Sequence, residues 1–182
     1  MAHDVHEDDP VLDPARLREI LDLDLVAEQF DPELQKLVAE AANALDLPIG
    51  LVTVVLDDAQ YFAAMYGVEG WLKEARGTPV EWAFCTHVVR TGEPLVVGET
   101  ADHPKTRHSP LVYEESVRSY AAVPLRTERD QVIGSLCVVG DRAHDFDADD
   151  IDYLTNLARR VLVALEARRV PDDVGGETQP PI

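Results

Sequence analysis

The sequence predicts one α+β domain, in which strands paired through tight turns are closed by long amphipathic helices. Three observations lead to this. Residues 49–56 (Ile-Gly-Leu-Val-Thr-Val-Val-Leu) are almost continuously apolar and β-branched, as in a central strand covered on both faces. The Asp57-Asp58 turn then leads into a return strand, residues 60–66, giving a hairpin. Finally, Leu34, Leu37, Val38, Ala41, Ala42 and Leu45, and later Ile151, Leu154, Ala158, Val161 and Leu165, recur three and four apart, which is helical spacing.

The remaining elements follow in chain order. Asp13-Pro14 and Asp31-Pro32 each place a capping carboxylate before a proline at the first helical position, so helices start at both points. The second runs to about Asp46 and ends before Pro48. Residues 81–90 read as a short helix stopped by Thr91-Gly92, and residues 94–97 as a brief strand. Between Gly98 and Val117 lies a polar connection whose length suits a lid or binding loop, with a short helix near Leu111-Val112-Tyr113. Two strands follow, residues 119–125 and 132–139, joined by a turn at residues 127–130. Asp147 caps the last helix, with Asp150 in its first turn, where negative charge suits the helix dipole.

Composition bounds the partners. The chain has 182 residues, 46% hydrophobic and 28% charged, which allows one domain plus tails. Sixteen basic residues stand against 35 acidic ones, a formal charge of −19. Such a surface repels phosphate backbones and anionic lipid, which disfavours nucleic acid and membranes as partners. It fits solubility, or docking on a basic partner. No apolar run reaches the length of a membrane span, and the start is acidic rather than a signal peptide, so the expected location is cytoplasmic. Two cysteines, Cys85 and Cys137, are too few for a disulfide framework. The acidic residues 1–12 and the Pro/Gly-rich residues 171–182 are expected to be disordered, leaving a domain over residues 13–170.

The local sequences resemble the GAF domain family. Residues 82–97, beginning Trp82-Ala83-Phe84-Cys85-Thr86-His87, resemble its short helix and following strand. Asp102-His103-Pro104 is similar to its loop motif. Residues 118–125, ending Val123-Pro124-Leu125, resemble its Ala-x-x-Pro-Leu strand, and residues 133–139 its Ile-Gly-x-Leu-Cys-Val strand. Residues 146–157 look like the helix that closes the family's domain, and the resemblance as a whole covers roughly residues 33 to 168. The resemblance implies a central antiparallel sheet flanked by helices, with N- and C-terminal helices packed together on one face.

It also implies a ligand pocket between the sheet and the short helices and loop. Candidate wall residues are Phe62, Trp82, Phe84, Cys85, His87, Val97, Tyr113 and Tyr120, aromatic bodies with a few polar tips. The alternative is that Trp82 and Phe84 are plain core. Cys85 and His87 stand two apart, which on a helix separates them; an irregular turn would let them meet, and burial would leave the thiol inert. Cys137 reads as core. Cys85, His87, His103 and His108 match no tight zinc spacing, so no metal is assigned. No cofactor is identified.

These features imply a standalone sensory or regulatory GAF domain that binds a small molecule, with a signalling protein as a further partner. The last helix carries a coiled-coil-like stripe, Ile151, Leu154, Ala158, Val161 and Leu165, which reads either as a homodimer seam or as monomer core. Two other readings stand beside the sensor: a redox enzyme using Cys85, similar to free methionine-sulfoxide reductases, and a dimerisation adaptor without ligand. Bilin attachment lacks a cysteine in the 98–117 loop. Cyclic-nucleotide binding would draw on Lys105, Arg107 and Arg118, but no glycine-rich cradle accompanies them.

Overall fold

A computed structural model describes residues 8–25 and 29–171. Six strands form one antiparallel sheet in the order β3-β2-β1-β6-β5-β4. They are β1 (Ile49–Val55), β2 (Ala59–Tyr66), β3 (Gly77–Pro79), β4 (Leu95–Val97), β5 (Ser119–Arg126) and β6 (Val132–Gly140). The helices are α1 (Pro14–Asp22), α2 (Pro32–Ala44), α3 (Gly70–Ala75), α4 (Cys85–Thr91), α5 (Pro110–Tyr113) and α6 (Ala148–Glu166). The expected strands and helices are all present, and the central pair β1 and β6 is buried on both faces.

The sheet separates two apolar layers. On one face α1, α2 and α6 pack over Val52, Val54, Ala121, Val123, Leu136 and Val138. On the other, Leu51, Phe62, Tyr120, Ala122, Cys137 and Val139 meet Phe84, Val88, Leu111 and Val112. Period-two alternation assigns the strand residues to these layers, with interruptions in β2 and near the start of β6. The β1–β2 register shifts between Val52 and Thr53, so Ala63 is an extra residue in β2. The bulge returns Met65 to the face that carries Phe62.

The helix starts follow their capping chemistry. Asp13 and Asp31 accept from backbone amides of α1 and α2 ahead of a proline at N1. Asp147 and Asp150 form a reciprocal capping box on α6. At Gly50 a Cβ would lie 2.1 Å from the Val38 carbonyl oxygen, so only glycine lets α2 settle this closely on β1.

Three expectations are corrected. The α6 stripe proposed as a dimer seam is occupied within the chain: Leu154, Ala158, Val161 and Leu165 are buried in the helix-side core, and Ile151 packs against it. The reason is geometric, since α6 lies on the sheet beside α2 and turns its apolar side inward; its outward side carries Asp152, Asn156, Arg159 and Val163. The disordered N-terminal boundary also moves. Pro10–Leu12 forms a 3-10 turn with Val11 buried, and Asp9 pairs with Arg90 through two hydrogen bonds of 3.0 and 2.9 Å. Residues 1–7 and 172–182 of the expected tails lie outside the described residues. Third, the 81–90 helix divides into a 3-10 turn (Val80–Trp82) and α4, because the backbone at Ala83 is extended.

An ion-pair cluster joins the two ends of the domain. Glu19 on α1 is 2% exposed and accepts from Arg169 at 2.7 and 3.1 Å, with Arg129 at 3.4 Å. Arg169 also holds Glu166, and Arg129 holds Asp22. The hydrogen bond from Arg169 keeps the Glu19 carboxyl below its ordinary range. A depressed folded pKa gives stability that is present above the unfolded value, about 4.3, and lost as pH falls through the folded one. The cover over Glu19 is largely the arginines themselves, so the contribution belongs at the shallow end of buried pairs, about 2–3 kcal/mol. Glu19→Gln should lower stability by that amount at neutral pH, and the difference from wild type should shrink toward pH 3. Urea unfolding at both pH values checks it.

Candidate functional site

The second face of the sheet holds a cavity of about 240 Å³. Its floor is sheet: Ile49 and Leu51 of β1, Gln60 and Phe62 of β2, Thr78 of β3, Tyr120 of β5, and Cys137 and Val139 of β6. Its walls come from Gly67, Val68, Glu69 and Leu72 around α3, from Phe84, and from Leu111, Glu115 and Val117 around α5. Phe84 meets the Tyr120 ring edge to face, with centroids 5.1 Å apart. The lining is apolar on most sides with a few polar groups at fixed places, the composition of a small-molecule site.

Those polar groups are positioned from beneath. Gln60 Nε2 donates to Thr78 Oγ1 at 3.2 Å, and the Cys85 thiol donates to Gln60 Oε1. Thr53 and Ser135 hydroxyls bond each other at 2.9 Å across β1 and β6. Tyr120 differs. Its side chain is 4% exposed and its hydroxyl is near Ser135 and Cys137, but no hydrogen bond of acceptable geometry reaches it. Burial pushes the Tyr120 phenol well above its ordinary pKa, so it is a neutral donor. An unpaired buried hydroxyl costs about 1–3 kcal/mol, so a ligand acceptor there would recover stability.

The roof is ordered by its own threonines. Thr100 Oγ1 donates to the Val117 carbonyl at 2.5 Å, and Thr106 Oγ1 donates to that of Thr100 at 2.7 Å; both residues are fully buried. Ser109 Oγ caps α5 through Leu111 N and donates to the Trp82 carbonyl at 2.8 Å. At the mouth, Trp71 Nε1 donates to Glu115 at 2.6 Å, and Trp71 meets Trp82 edge on at 5.8 Å.

The candidate residues named from the sequence fall in several places. Phe62, Phe84 and Tyr120 line the cavity, and Val97 is buried in the same apolar layer. Trp82 and His87 line a separate open groove with Arg90, Lys105 and His108. Cys85 lies in a third apolar cluster with Val11, Val55 and Val89, one side chain removed from the cavity through Gln60. Tyr113 is 68% exposed, with its hydroxyl on the Arg107 carbonyl.

Thiol and metal chemistry can be located too. Cys85 and Cys137 are both buried; burial pushes the Cys85 thiol up to about 12 and Cys137 higher, which keeps both protonated. His87, half-buried, is pushed down by burial and the nearby cations, and faces the Lys105 carbonyl. His103 accepts from Lys105 N, and His108 from Arg107 Nε. Among the described residues, no three His, Cys, Asp or Glu side chains converge as metal ligands. Nor is any helix among them long and apolar enough to cross a membrane.

The architecture is α+β, a six-stranded antiparallel sheet with helices packed on one face and a roofed cavity on the other. Residues 31–166 match the GAF domain family, GAF_2, and the chain belongs to that family. It is 28% identical over 149 residues to a cyclic di-GMP phosphodiesterase of Pseudomonas aeruginosa, an alignment covering 81% of this chain and only 24% of that protein. Among solved structures, it is similar to free methionine-R-sulfoxide reductase from Neisseria meningitidis in complex with its substrate. There the TM-score is 0.61 and identity 25%, covering 85% of this chain and 91% of that one. The GAF domain of an Acinetobacter phosphoenolpyruvate-protein phosphotransferase shares the fold at TM-score 0.61 and 18% identity, covering 84% and 92%.

Proposed function

We propose that this chain is a sensory or regulatory GAF domain whose ligand is a small molecule held in the cavity over β1, β6 and β5. The observation that carries the reading is the buried Tyr120 hydroxyl, unpartnered beside a cavity of about 240 Å³. An apolar cavity of about 150 Å³ takes benzene, so this one suits a phenyl-sized group with a short polar arm. The ordered roof, tied down at Thr100, Thr106 and Ser109, is the segment whose arrangement ligand would bias; that requires unequal affinity for two arrangements. A homodimer built on α6 would use its outward side, polar apart from Val163, and sensing does not depend on one.

Native mass spectrometry of the protein purified from its own host tests the reading. The expected spectrum carries a bound small molecule that is released on denaturation. A bare chain, together with no thermal shift across a fragment collection, would defeat it.

A second reading, a redox enzyme acting on a sulfoxide, is favoured by the likeness to the Neisseria reductase and by Cys137 in the cavity floor. It requires a thiolate, which burial opposes at both cysteines. Turnover of free methionine sulfoxide that disappears in Cys137→Ser or Cys85→Ser would establish it.

A further inference from the structure

We infer that the ligand is a cationic amphiphile: an apolar, phenyl-sized body with a protonated amine at the cavity mouth. This rests on the reading of the cavity as a ligand site and adds the chemical class. The charged residues of the lining are Glu69 and Glu115, both carboxylates; among the described residues no lysine, arginine or histidine lines it. Both lie on the wall segments around α3 and α5 rather than on the sheet. Glu69 is exposed and Glu115 half-buried, so an amine there keeps part of its hydration while gaining two counter-charges.

Three further features agree. Trp71 fixes one Glu115 oxygen through its indole N–H, which leaves the carboxylate oriented and the second oxygen available. The Trp71 indole held against Glu115 offers aromatic surface of the kind that attracts ammonium groups. The whole chain, at −19, draws cations and repels anions.

The cations that an anionic ligand would need are committed elsewhere. Arg118 is exposed and bound to Glu99 through two hydrogen bonds of 2.9 and 2.8 Å. Arg107 rests on His108, and Lys105 lines the separate outer groove. Phosphate or carboxylate ligands would therefore meet Glu69 and Glu115 with no compensating charge in the cavity lining. The apolar walls, Leu51, Phe62, Phe84 and Val139, take the body of the molecule.

Calorimetric titration of the full chain at low salt with phenylbutylamine, phenylbutanol and phenylbutyrate tests this, since the three share one body and differ in charge. The amine should bind at least about tenfold more tightly than the alcohol, and the carboxylate more weakly than either. Glu115→Gln with Glu69→Gln should bring the amine down to the alcohol's affinity and leave the alcohol unchanged, which a merely damaged cavity would not do. Amine binding should also vanish in Val139→Phe. If it survives there, the amine sits on the acidic surface and the inference is wrong. If the alcohol or carboxylate binds as tightly as the amine, the class is wrong while the cavity reading stands. If none of the three binds, this inference fails, and the native mass spectrum decides the cavity reading separately.

Discussion

Val161→Glu should unfold the domain rather than split a dimer. Val161 is 0% exposed, at the centre of the layer where α6 meets the sheet and α2. A carboxylate at this position has no counter-charge among the apolar residues of its layer, and must be buried charged, be protonated, or force the helix away. Each route costs more than about 4 kcal/mol, a large part of the 5–15 kcal/mol that holds a domain of this size together. The expected readout is loss of the cooperative thermal transition and of most helical circular dichroism. Val163→Glu, two residues on and 73% exposed, serves as the control. It should change stability by no more than about 0.5 kcal/mol. If Val161→Glu instead stays folded and merely halves the mass by light scattering, the stripe faces a partner subunit and the packing described here is wrong.

Filling the cavity gives the second large effect. Val139 on β6 stands opposite Ile49 and Tyr120, lines the cavity and is nearly buried. In Val139→Phe the added ring points into existing space, so ligand and side chain compete for one volume. Small-molecule binding should fall at least about 100-fold, the equivalent of about 2.7 kcal/mol. The melting temperature of the ligand-free protein should hold or rise, because apolar atoms replace a void. Calorimetry and thermal denaturation on one pair of proteins separate the two quantities. Unchanged affinity would place the ligand elsewhere.

Much of this fold is written in local chemistry. The Asp-Pro starts of α1 and α2, the Asp147–Asp150 capping box and the three-and-four spacing of α6 all specify helix ends and faces without tertiary information. Two elements were not legible. α3 is six residues with no buried side chain and begins at Gly70 with φ +64°, so it has no apolar stripe to find. β3 is a three-residue edge strand ending at Pro79, whose missing N–H is tolerated only at an edge.

The site was legible in part, for a related reason. Phe62, Phe84 and Tyr120 stand out as aromatics, but Leu51, Cys137 and Val139 sit in strands buried on both faces. Where both faces are apolar, alternation carries no polar signal to say which residues face the cavity. The bulge at Ala63 further breaks the parity of β2. Glu69 and Glu115, the charged residues of the lining, look like ordinary surface acids in a chain with 35 of them. The α6 stripe shows the converse limit: its spacing fits a coiled-coil seam and a sheet-packed helix equally, and only the position of the sheet decides.

The most direct measurement is a crystal structure of the protein soaked with a small aromatic amine. Density is expected for the ring between Phe62, Phe84 and Tyr120, with the amine nitrogen on the side of the cavity lined by Glu69 and Glu115. A cavity closed by Phe84 or Leu111, or left empty at millimolar fragment while density appears elsewhere, would contradict it.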